Sequence, residues 1–362
     1  MQTFSSNNRM GDENGPSLEN LVRENQILQG KVTLLKNEKL EKLLDAPEYA
    51  GDPSFDPVLD AMKLRKAMRG MGTDEKALIE VLCNRNLYQR MVIANTYSTI
   101  YPDRVLNNNL DSETSGNFGR TMVQLASHPA LNDARNLRRA MKGLGTDDST
   151  LIDIICTRTS KELYLIKKVY KHEFMRELED DIKGDTSGHY ERFLCALIRT
   201  NGREKEGEVN LERADNDVEL LYKAGQDKIG TNEETFIAIL ACRSLRHINE
   251  VVRIYGEKHK DFIKVLESEL SGHFEKACKS VVRFAADPNA YQAHLLHKSM
   301  KGLGTKDEML VRLLVTACNR RQLGAVREMY HAETGKELAK AVSSETSGDY
   351  KKALVALVNS DL

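Results

Sequence analysis

The chain has 362 residues, 40% hydrophobic and 30% charged, with a formal net charge of −1. It is long enough to bury substantial cores and too apolar for a disordered chain, while its near-neutral balance removes the usual electrostatic argument for nucleic acid or for direct adhesion to an anionic membrane, both of which call for a basic excess or a basic stripe. No segment approaches the roughly 20 apolar residues of a membrane span, and Met1 to Asn8 lacks the apolar stretch of a signal peptide, so the chain reads as one made in the cytosol.

Residues 1–50 form an N-terminal extension. Leu18, Asn25 and Val32 fall seven apart, as do Leu21, Leu28 and Leu35, which gives a heptad seam with Asn25 at an a position. The seam predicts an amphipathic helix over 18–44, with Ser17 able to cap it and Asp45-Ala-Pro47 ending it. Two roles stay open for it: self-association into a homodimer or pairing with a helical partner, or lying on the protein's own concave face.

From residue 51 the pattern becomes repetitive. Val58, Leu59, Met62 and Ala67 fall at helical spacing and run into a Gly70/Gly72 turn, after which Thr73 is placed to cap a helix carrying Ala77, Leu78, Val81 and Leu82. Met91, Val92, Ala94 and Tyr97 mark a third helix, Pro102 is placed to open a fourth, and helical spacing restarts at Phe118 after Ser115-Gly116. The same order returns three times, so the expected units are 51–126, 127–200, 211–286 and 287–362, each of five helices. Residues 201–210, polar and charged, read as a solvated linker between two halves. Runs of alternating β-branched residues are absent, so the fold class is all-α.

The turns read Met68-Arg-Gly-Met-Gly72-Thr73, Met141-Lys-Gly-Leu-Gly145-Thr146, Gly225-Gln-Asp-Lys-Ile-Gly230-Thr231 and Met300-Lys-Gly-Leu-Gly304-Thr305. Glu113, Asp185, Glu269 and Glu345 follow 41, 40, 39 and 41 residues after Gly72, Gly145, Gly230 and Gly304. A single such turn is a helix stop followed by a cap. Four copies, each with an acid at nearly the same remove, point to four copies of one calcium site.

Calcium takes six to eight oxygen ligands in a tolerant geometry, and carbonyls serve as well as carboxylates. Two glycines let a turn aim successive carbonyls the same way, so Met68, Gly70 and Gly72 are candidates to give backbone oxygens and Glu113 its side chain. One carboxylate neutralises half of the ion's charge and leaves positions vacant. Such a site is weak alone, on the order of 10⁻⁴ to 10⁻³ M, and an anionic headgroup filling the vacancies would strengthen both partners. Met71, Leu144, Ile229 and Leu303 stand at the apices, free either to dip into a membrane or to fold back, with Arg69, Lys142, Lys228 and Lys301 beside them.

These motifs resemble the annexin family, over four repeats from about Pro53 to the C-terminus. The family's calcium motif is matched by Met68, Gly70, Gly72 and Glu113; by Met141, Gly143, Gly145 and Asp185; and by Met300, Gly302, Gly304 and Glu345. The third unit is similar to the family's variant form through Gly225, Lys228, Gly230 and Glu269. The resemblance implies a curved disc of four five-helix repeats, Ca2+ on the convex face and reversible docking on phosphatidylserine-rich membranes, with membrane bridging or scaffolding open. It also implies lesser calcium positions at Thr73 and Glu75. The fourth unit departs: Arg85, Arg158 and Arg243 lie twelve residues after their unit's Thr, whereas Arg320 lies fifteen after Thr305.

No nucleophile with a base, His-Glu-x-x-His pair or phosphate loop appears, so no enzyme is read. His294 and His297 share a helix face and read as a solvated or satisfied pair. The six cysteines lack a Cys-x-x-Cys pair and read as small apolar residues of helical cores. The rival to calcium-dependent lipid binding is a helical-repeat scaffold for proteins whose turns are only structural.

Overall fold

A computed structural model describes residues 55–199, 203–225, 230–302 and 304–360. The expected helix over 18–44 lies outside them. Twenty α-helices occupy the described residues, five to a repeat, with no strand among them. They are α1 Pro57–Ala67, α2 Glu75–Leu82, α3 Leu87–Ile100, α4 Leu106–Glu113 and α5 Gly116–Leu125 in the first repeat. The second holds α6 Pro129–Ala140, α7 Asp148–Ile155, α8 Ser160–Phe174, α9 Leu178–Asp185 and α10 Gly188–Ile198. The third holds α11 Leu211–Gly225, α12 Glu233–Cys242, α13 Leu245–Lys258, α14 Phe262–Glu269 and α15 Gly272–Ala286. The fourth holds α16 Pro288–Met300, α17 Asp307–Asn319, α18 Leu323–Thr334, α19 Leu338–Glu345 and α20 Gly348–Asn359.

Two apolar cores form. One joins the second and third repeats, from Ala130 to Val282; the other joins the first repeat to the fourth and includes Leu64, Tyr97, Leu314 and Leu354. Polar contacts also cross between them. Arg312 donates to Asp153 at 2.9 Å with both side chains buried, and Arg158 donates to Thr316 at 3.3 Å. Five cysteines are buried and Cys242 half-buried, all as free thiols, as the composition suggested.

Four expectations are corrected by packing. In α1 the core takes Ala61, Leu64, Ala67 and Met68, while Val58, Leu59 and Met62 remain 42%, 63% and 52% exposed. Both sets have helical spacing, and periodicity alone does not say which stripe meets a neighbour. Asp74 rather than Thr73 caps α2, accepting from the Ala77 amide at 3.0 Å. Pro102 does not open α4, which starts at Leu106; it lies in a turn closed by the Arg104 amide on the Tyr101 carbonyl, with Asp103 at φ 67°. Arg203 is not solvated linker. It is buried and donates to the carbonyls of Arg243 and Leu240 at 2.7 and 3.1 Å, pinning residues 203–206 to the end of α12.

An ion pair ties the first helix of three repeats to the end of the second: Arg85 to Asp60, Arg158 to Asp133 and Arg243 to Asp217, at 2.7, 2.7 and 2.6 Å. Burial raises the Asp217 carboxyl, but hydrogen bonds from Arg243 and His247 outweigh it and hold the group below the usual carboxylate range. The fourth repeat has Gln292 in place of the acid, and its amide donates to the Leu313 carbonyl. With no acid to receive it, the displaced Arg320 crosses to the second repeat and donates to Glu162 at 2.9 Å and to the Thr157 carbonyl. α17 accordingly runs 13 residues against 8, 8 and 10 for α2, α7 and α12. His294 is satisfied by Glu333 at 2.8 Å, and the His297 ring meets Tyr330 edge to face.

Candidate metal centre

Each turn joins the first helix of a repeat to its second. A backbone hydrogen bond closes it, from Asp74 to Ala67, Asp147 to Ala140, Asn232 to Ala224 and Lys306 to Ser299, at 2.8–2.9 Å. The glycines inside need conformations that L side chains rarely adopt: φ is 109° and 85° at Gly70 and Gly72, 115° and 85° at Gly143 and Gly145, 85° at Gly230, and 112° and 81° at Gly302 and Gly304. The third turn is one residue longer and begins at Gly225, still helical. A Cβ there would stand 3.1 Å from Glu269 Cγ, so glycine lets this acid approach.

The acids end the fourth helices α4, α9, α14 and α19. In every repeat the chain leaves them extended and then turns through a positive-φ glycine, Gly116, Gly188, Gly272 or Gly348, into the fifth helix. The threonine after each turn meets the acid. Thr73 Oγ1 donates to the Glu113 carbonyl at 2.8 Å, Thr146 to Asp185 at 3.2 Å, Thr231 to Glu269 at 3.1 Å and Thr305 to Glu345 at 3.2 Å. In the third and fourth repeats the hydroxyl also reaches the carboxylate Oε2, at 3.2 and 3.3 Å. The sequence places Thr73 as a cap; the recurrence of a threonine directly after the second glycine is legible there, but its bond to an acid about forty residues on is not.

The side chains of Met68, Met141 and Met300 are buried, so each can offer only its carbonyl. Among the described residues, no backbone hydrogen bond is donated to the Met68, Gly70 or Gly72 carbonyls. Glu113, Asp185 and Glu345 are exposed and Glu269 half-buried. Neither a cluster of three or more His, Cys, Asp or Glu side chains fit to hold a metal nor a helix long and apolar enough to cross a membrane occurs among the described residues. A donor set of unpaired carbonyls with one carboxylate suits a hard, oxygen-seeking cation and not zinc. Lys228, Ile229 and Leu303 lie outside the described residues.

Contacts between repeats bring the four centres to one face. Arg120, in the second turn of α5 after the first acid, pairs with Glu308 at the fourth turn at 2.9 Å, and Arg139 at the second turn reaches the same carboxylate at 3.6 Å. Arg192 near the second acid pairs with Glu234 at the third turn, and His273 near the third acid lies 3.5 Å from Asp148 at the second. On this face Met71 and Leu144 stand fully out in solvent, at 106% and 109% exposure, rather than folding back.

The annexin family model matches four segments, residues 59–125, 132–197, 216–281 and 291–357. Annexin A13 of Homo sapiens is 42% identical over 306 residues, covering 84% of this chain and 96% of the relative. Annexin A5 of Cynops pyrrhogaster is 42% identical over 309 residues, 84% of this chain and 94% of the relative. Among solved structures, annexin III aligns with a TM-score of 0.82 at 36% identity, over 86% of this chain and 96% of that one. A calcium-bound annexin (Sm)1 aligns at 0.78 and 32%, over 86% and 92%.

Proposed function

Since this chain belongs to the annexin family, whose members bind phospholipid in a calcium-dependent way, we propose that it docks reversibly on phosphatidylserine-rich membranes through four calcium ions. The ligands are the carbonyls of Met68, Gly70 and Gly72 with Glu113; of Met141, Gly143 and Gly145 with Asp185; of Gly225, Lys228 and Gly230 with Glu269; and of Met300, Gly302 and Gly304 with Glu345. The observation that carries this reading is the hydrogen bond from the turn's threonine to the acid's own carbonyl, repeated in all four repeats. It holds the two halves of each site together before any ion arrives, so calcium need not order them.

When bound, the ion supplies positive charge and vacant coordination positions for a lipid phosphate or carboxylate. Met71 and Leu144 add apolar contacts at the interface, and four sites on one face add avidity. Residues 18–44 are proposed to self-associate, which would let one assembly meet two bilayers. Light scattering of the full chain against one starting at Gly51 tests that separately: equal mass per chain removes it.

Co-sedimentation with phosphatidylserine vesicles tests the main reading. The full chain pellets with calcium and is released by chelator, and replacing Glu113, Asp185, Glu269 and Glu345 with Ala together abolishes pelleting. Pelleting indifferent to calcium and to those four replacements would return the chain to the protein-scaffold alternative.

A further inference from the structure

Repeat one carries a second membrane contact on the outer side of α1, independent of calcium; we propose that this face docks on an anionic bilayer without the ion. Val58, Leu59, Met62, Lys66 and Arg69 recur at helical spacing and all stand exposed, so they form one stripe along α1. The stripe runs directly into the first turn and its exposed Met71. Beside it lies the turn before α4, where Pro102, Arg104 and Val105 are exposed. Met62, Lys66, Arg69, Tyr101 and Arg104 share one hollow.

Two features single this face out. Ten large apolar side chains stand exposed among the described residues, and five of them, Val58, Leu59, Met62, Met71 and Val105, are on it or at its edge. Its cations are Lys63, Arg65, Lys66, Arg69 and Arg104, against three neighbouring acids, Glu80, Asp103 and Asp56, the last capping α1. Glu80 is engaged by Lys63 at 2.6 Å, and Arg65 lies over the Tyr101 ring. Lys66, Arg69 and Arg104 form no ion pair with any described residue. Exposed apolar groups fringed by unpaired cations are what an anionic lipid surface complements: the cations meet headgroup phosphates and carboxylates while the apolar groups enter the interface.

The other repeats spend the same position internally. Where the first has Met62, the second has Arg135, paired with Glu173. The third has Glu219, which shares Lys258 with Asp215, and the fourth has His294, held by Glu333. A net charge of −1 therefore conceals a basic stripe, and the composition-based exclusion of direct adhesion fails for this face.

The test is co-sedimentation of the full chain in chelator with phosphatidylserine–phosphatidylcholine vesicles, and with phosphatidylcholine alone, at low and raised salt. Binding is expected only to the anionic vesicles, falling as salt screens the cations. Lys66→Ser with Arg104→Ser should weaken it about twenty-five-fold, taking about fivefold per cation near a lipid surface. Leu59→Ser with Met62→Ser should also weaken it. Both variants should keep calcium-driven pelleting, which shows that they are folded and separates this contact from the calcium sites. No pelleting in chelator, or pelleting unchanged in both variants, overturns the proposal. So does a fall in molar mass by light scattering on substitution, which assigns the face to a second copy, or cross-links from Lys66 to residues 1–54, which assign it to the chain's own N-terminal segment.

Discussion

The Thr73 hydroxyl donates to the main-chain carbonyl of Glu113 at 2.8 Å, across forty residues of sequence. The bond leaves the carboxylate unspent and fixes where it stands relative to the turn. Thr73→Val removes the donor while keeping the shape. We expect a stability loss of about 1 kcal/mol, as for one exposed hydrogen bond, but a clear loss of calcium affinity at the first site. Calorimetric calcium titration beside a thermal melt separates the two, and unchanged calcium binding would show that the bond is only structural.

Gly145→Ala places a Cβ on a residue at φ 85°. No neighbouring atom lies within 4 Å, so the penalty is conformational, about 1–2 kcal/mol. The second turn should relax by re-aiming its carbonyls, weakening calcium there while the other three sites hold. Gly184→Ala, also without close neighbours but inside α9, is the control and should leave calcium binding intact.

Met71→Ser and Leu144→Ser should leave folding unchanged, because both side chains are already in water. Vesicle binding at fixed calcium should weaken by about 1.5–3 kcal/mol for each fully inserted side chain. Equal binding by the double variant would mean that the apices never enter the bilayer.

The buried pair Arg158–Asp133 should be intolerant of single changes. Arg158→Met strands a carboxylate and should cost about 3–5 kcal/mol, whereas removing both partners costs less. Denaturant unfolding of the two singles and the double measures the difference.

His128 gives a pH dependence. Its Nδ1 accepts from the Ala130 amide, its Nε2 is buried without a partner, and burial lowers its pKa from the ordinary 6.5, with Asp133 opposing weakly. A histidine depressed on folding binds protons better when unfolded, so its contribution to stability is present above pH 6.5 and is lost as pH falls through that value. The melting temperature should drop between neutral and mildly acid buffer, and His128→Asn should flatten that drop; an equal drop in both proteins would place its origin elsewhere.

Sequence alone determined the four-fold repeat, the all-helical class and the pairing of each glycine turn with one acid. These depend on local or periodic chemistry: glycine is needed where φ is positive, and a fixed separation recurs because each unit folds by the same packing. Tertiary structure decided which of two equally periodic stripes of α1 faces the core, because among the described residues Ala61 and Leu64 pack into it while Leu59 and Met62 stay exposed. It decided that Thr73 reaches a carbonyl forty residues away while Asp74 takes the cap, and that Arg320, lacking an acid at Gln292, bonds Glu162 in another repeat. It also gathered four turns on one face and five cations at one edge. Each of these depends on distances between residues far apart in the chain, which no spacing along it encodes.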